Sequence, residues 1–88
     1  MTKAVYAELA EINPDALTAD GLEEAYIGYR VGIGETVAVY DYEKCVEIIC
    51  RDHGANREEA EEYLSFNTIF AYVGPHSPVY IRLTFVRT

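Results

Sequence analysis

Glu58, Glu59, Glu61 and Glu62 are the densest group of ionisable side chains in the sequence. On a helix, Glu58 and Glu62 stand one turn apart on one side. Two carboxylates so placed could hold a hard cation or face a basic protein surface. No calcium-loop spacing surrounds them. Acidic residues in the first turns of a helix also stabilise it directly, by about 0.3–1 kcal/mol. We read them as a solvated helix start, with Glu58, Glu61 and Glu62 as candidate contacts for a partner. Cys50-x-x-His53 would offer two zinc ligands from one helix, but a structural site needs four. The other donors, Cys45 and His76, do not complete a convergent set by spacing. Cys45 and Cys50 therefore read as small core residues and His53 as a cation near a helix carboxyl end. No metal is expected to be needed for folding, no cofactor is implied, and no catalytic residue is assigned.

The eight tyrosines are the second chemical signal. Tyr42 follows Asp41 at a strand-to-helix joint, while Tyr26 and Tyr29 lie in a glycine-rich stretch. Tyrosine buries area while keeping a polar tip, which suits protein interfaces. Asp41, Tyr42, Tyr26 and Tyr29 join the candidate partner-binding set, with core edges as the plain alternative. Asn67 falls on an apolar stripe and needs hydrogen-bond partners if buried. A pocket lined by Asp41, Tyr42 and Asn67 beside the Gly21–Gly32 face would favour a small-ligand binder or an enzyme.

The elements that must position these residues are read from periodicity and stop signals. Residues 3–12 carry Val5, Leu9 and Ile12 at helical spacing, and Asn13-Pro14 ends them. Asp20 with Glu23 predicts a capping box opening a second helix, with Gly21, Ala25, Gly28 and Gly32 making one side flat. Residues 36–40 predict a strand covered on both sides or paired centrally. Asp41 caps a helix over 42–53, with Cys45, Ile48 and Ile49 inward and Glu47–Arg51 as an i,i+4 pair. His53-Gly54 stops it. Asn56 and Glu59 open a helix over 56–73, whose stripe is Ala60, Tyr63, Leu64, Asn67, Phe70 and Ala71. Its last turns, Phe66 onward, should be buried. Residues 79–86 alternate, with Val79, Ile81, Leu83 and Phe85 on one face and Tyr80, Arg82, Thr84 and Val86 on the other. The expected fold is one α+β domain over residues 1–88, in the order ααβααβ. About four helices would pack on a two-stranded antiparallel sheet. The Tyr80 face would be left for solvent or for a homodimer through residues 79–86.

Fifteen Asp and Glu against seven Lys and Arg leave a net charge of −8. That opposes direct binding to nucleic acid or to an anionic membrane, both of which need clustered cations. No apolar run approaches the roughly 18 residues of a membrane span. The start MTKAVYAELAEI lacks a signal-peptide core, and two cysteines make no disulfide framework. A cytoplasmic protein with free thiols is expected.

The segments ADGLEEAYIGY, VAVYDYEKCVEII and EEAEEYLSFNTIFAYVG, with the following Pro78, resemble a group of small uncharacterised bacteriophage and prophage proteins. The resemblance covers about residues 12–79 and implies no activity, cofactor or catalytic residue. It favours a small non-enzymatic protein that binds a host or phage protein, one of basic character given the acidic surface. A DNA mimic is the alternative, although carboxylates concentrated in 58–62 suit it less than an even spread.

Overall fold

The computed structural model describes residues 5–32, 34–66 and 74–84. Among these residues the chain forms three α-helices and a three-stranded mixed sheet, an α+β architecture. Helix α1 spans Ala7–Ile12, β1 Tyr26–Tyr29, β2 Ala38–Asp41, α2 Tyr42–His53, α3 Arg57–Leu64 and β3 Val79–Ile81. Asn67, Phe70 and Ala71 of the predicted stripe, and Phe85 and Val86 of the predicted strand, lie outside the described residues.

The joint at Asp41 forms as its sequence predicts. Asp41 Oδ1 accepts hydrogen bonds from the backbone N–H groups of Glu43 and Lys44. Helix α2 then buries Cys45, Val46, Ile48 and Ile49 and ends on Gly54 in the left-handed conformation (φ +66°) that glycine adopts without steric cost. Asn56 opens α3 with a complete capping box. Its side chain accepts from Glu59 N–H at 2.8 Å, and the Glu59 carboxylate accepts from Asn56 N–H at 3.0 Å. Ala60 and Leu64 face the core.

The second predicted helix does not exist. A short 3-10 turn, Glu23–Ala25, is followed at once by β1. Glu23 does reach back, but to the N–H of Gly21, and no side chain caps the turn. The glycines explain the difference. Gly21, Gly28 and Gly32 have φ of +86°, +150° and +128°, and a Cβ at any of them would meet open space. They are there for backbone conformation, not to let another helix approach. Gly28 lies at a bulge in the antiparallel β1–β2 ladder, where the register shifts between Tyr26 and Gly28.

The sheet order is β1-β2-β3, so β2 is central, as its two-sided apolar pattern requires. The expected antiparallel pairing of 36–40 with 79–86 is incorrect: β3 runs parallel to β2, with Val39 opposite Val79 and Tyr40 opposite Tyr80. A parallel partner must be re-entered at the starting end of β2. Asn13 holds the chain there. Its amide Nδ2 donates to Thr36 O at 2.7 Å and lies 3.1 Å from His76 Nδ1, while Leu17 N–H donates to His76 O. Residue 76 is thereby pinned beside Thr36, two residues ahead of β2, and Val79 falls into parallel register.

That register also inverts the predicted faces of the last strand. Tyr80 shares the face of the fully buried Tyr40 and stacks on it, with ring centroids 5.4 Å apart. Ile81 and Leu83 are exposed. Helix α1 is also rotated relative to its predicted stripe. Tyr6 and Leu9 are buried, whereas Val5 and Ile12 are about half exposed. The core thus joins Leu9, Leu22, Ala25, Tyr40, Cys45, Ile48, Ala60 and Leu64.

Candidate protein-interaction surface

The core carries a chain of tyrosines. Tyr6 and Tyr26 meet edge to face at 4.7 Å, Tyr26 and Tyr40 at 5.8 Å, and Tyr40 stacks on Tyr80. Tyr40 Oη lies 2.7 Å from Tyr6 Oη and accepts from Ala19 N–H at 2.9 Å. Burial pushes the Tyr6, Tyr26, Tyr40 and Tyr80 hydroxyls above their usual titration range. Tyr26 is half-buried and packs against the core. Tyr29 donates to Glu8 Oε2 at 2.7 Å, a bond that holds its own hydroxyl proton on more tightly.

The acidic groups divide into paired and unpaired. Arg57 makes a bidentate pair with Glu43, at 2.8 and 3.0 Å, and also bonds Glu61. Arg57 thereby holds the Glu43 carboxyl below its usual range. The Arg82 guanidinium lies 3.6 Å from Glu43 and 4.8 Å above the Tyr42 ring. Arg51 pairs with Glu24 at 2.8 Å and Asp52 at 2.7 Å, not with Glu47 as its i,i+4 spacing predicts. Glu47 instead takes Lys44 at 3.4 Å. Of the predicted contacts, Glu61, Asp41 and Tyr42 are thus engaged within the fold. Glu58 and Glu62 have no counter-ion among the described residues.

Those two carboxylates share the outer side of α3 with two aromatics. Tyr63 is 40% exposed and Phe66, just beyond the helix, 76%. The exposure of Phe66 overturns its predicted burial. The helix interior here is filled by Ala60 and Leu64, and Phe66 turns to the opposite side. The Tyr63 ring meets His53 edge to face at 4.9 Å.

Beside this pair opens a half-open cleft of about 420 Å³. Loop 17–22 forms one wall, and the carboxyl-terminal half of α2 and Tyr63 form the other; Pro78 and Tyr80 close one side. Neither Asp41 nor Tyr42 lines it. The cleft is not legible as such in the sequence, because its lining comes from residues far apart in the chain, 17–22, 48–53, 63, 78 and 80.

Cys45 is buried, and desolvation pushes its thiol up to about 12, which leaves it protonated and unreactive at neutral pH. Among the described residues no group of three or more His, Cys, Asp or Glu could hold a metal ion. Nor, among them, is any helix long and apolar enough to cross a membrane. No protein-family model, no curated protein and no solved structure matches the chain.

Proposed function

We propose that this chain is a non-enzymatic protein-interaction module of the bacteriophage or prophage type, binding a partner of basic character. One observation carries the reading: the outer side of α3 presents Glu58 and Glu62, without counter-ions among the described residues, beside the exposed rings of Tyr63 and Phe66. Tyrosine and phenylalanine are enriched at the buried centres of interfaces, and exposed carboxylates around them favour a basic partner; Phe66 is 76% exposed. The arginine pairs across Glu43, Glu61 and Asp52 interrupt the acidic surface, which weighs against a mimic of the evenly spaced phosphates of DNA.

The test is a differential pull-down from bacterial lysate. Wild type, Glu58→Lys/Glu62→Lys and Phe66→Ala serve as baits, and captured proteins are compared by mass spectrometry. The expected outcome is a protein retained by wild type and depleted by both variants. Identical capture by all three baits would contradict the assignment of this surface.

A further inference from the structure

The cleft beside α3 has a chemistry of its own. Its floor is apolar, formed by Leu22, Ile48 and Ile49, and Leu17 and Tyr63 stand exposed as its walls. Its ionisable lining residues are Asp20, Asp52 and His53, besides the tyrosines. Asp20 and Asp52 both line it; Arg51 occupies Asp52, and Asp20 has no counter-ion among the described residues. The carboxyl end of α2 forms part of the lining through Asp52 and His53, and Arg51 and His53 are the basic residues of its last turn. The Tyr63 ring, which meets His53 edge to face, adds an aromatic wall, and aromatic rings attract cations. A carboxylate without a counter-ion among the described residues and an aromatic ring thus border one apolar hollow, and both attract positive charge.

Resting on the module reading above, we propose that this cleft receives an arginine side chain of the partner, with the apolar residue next to it in the partner sequence packing on the floor. A guanidinium fits better than an ammonium. It is planar, stacks on tyrosine, and loses less hydration on entering a half-apolar site. Metal is disfavoured, because the described residues offer no group of three ligands. An anionic ligand would face the Asp20 carboxylate. The net charge of −8 adds long-range attraction for a cationic segment.

The experiment uses the whole chain and a defined probe. The acetylated tripeptide amide Leu-Arg-Leu is titrated into ¹⁵N-labelled protein at physiological ionic strength. Its neutral isostere, with citrulline in place of arginine, and ethylguanidinium are run in parallel. The expected result is saturable shifts of the amides of 17–22 and 48–53 with the arginine peptide and none with the citrulline peptide. Asp20→Asn should weaken binding about tenfold, the value of one charge-assisted contact, while Glu35→Gln, an equal change in net charge at an exposed residue that does not line the cleft, should leave it within about twofold. The same spectra report whether each variant folds. Equal weakening by the two variants would mean diffuse attraction, and equal binding of the citrulline peptide would mean a purely apolar site. Binding of ethylguanidinium as tight as the peptide would mean a small-cation site. Each of these overturns the inference, as does an unshifted cleft. If the lysate partner is nevertheless lost on Glu58→Lys/Glu62→Lys, the module reading stands and only the cleft assignment falls.

Discussion

Tyr40 is the residue on which most of the fold converges. It is fully buried, its ring touches Tyr26 and Tyr80, and its hydroxyl ties Tyr6 to the backbone of Ala19. Tyr40→Phe keeps the ring but leaves Ala19 N–H without its acceptor, so we expect a loss of about 1–3 kcal/mol in urea unfolding. The buried tyrosines also set the response to alkali. Each has a folded pKa raised above the usual 10. Below pH 10 the hydroxyl is protonated in both states and the full stability is present. Above it the unfolded chain loses protons that the folded chain keeps, so stability falls as pH rises through the folded values. The expected slope is about 1.4 kcal/mol per pH unit for each tyrosine that stays protonated. Tyr40→Phe should remove about one tyrosine's share, measured as ΔG against pH from 10 upward. A flat profile would mean that these rings titrate freely. Asn13 is the other pivotal side chain. Asn13→Ala removes bonds to Thr36 and His76 and should cost about 1–3 kcal/mol.

At the scale of elements, local signals decide what the sequence reveals. Helices α2 and α3 are legible because cap, period and stop agree within a few residues: Asp41 to Gly54, then Asn56 to Leu64. Strand β1 is hidden because Leu22, Ala25, Tyr26 and Tyr29 fit a helical period. The competing signal was present: a glycine within a helix costs about 1 kcal/mol, and Tyr-Ile-Gly-Tyr is better strand material. The direction of β3 is not legible at all, since it depends on Asn13 bonding residues 23 and 63 positions away. The cleft is hidden for the same reason. Two substitutions test these elements. Asp41→Ala should destabilise by about 1 kcal/mol through lost capping. Gly28→Ala should destabilise more than its open surroundings suggest, because φ +150° is strained for any side chain although no neighbour obstructs one. Thermal melts of the two variants measure both. An unchanged melt for Gly28→Ala would mean that the bulge is absent.

For the whole molecule, the central claim is that an acidic, aromatic side of α3 recruits a basic partner. The measurement that tests it most directly is the association rate with the captured partner across a salt series, wild type against Glu58→Lys/Glu62→Lys. Both residues are exposed and have no partner among the described residues, so the fold should lose at most about 1 kcal/mol. Steering by exposed charge acts on encounter and is screened over roughly 10 Å at 0.1 M salt. The account predicts a slower on-rate for the variant at low salt and a shallower dependence on ionic strength. An on-rate and a salt slope equal to those of wild type would contradict it.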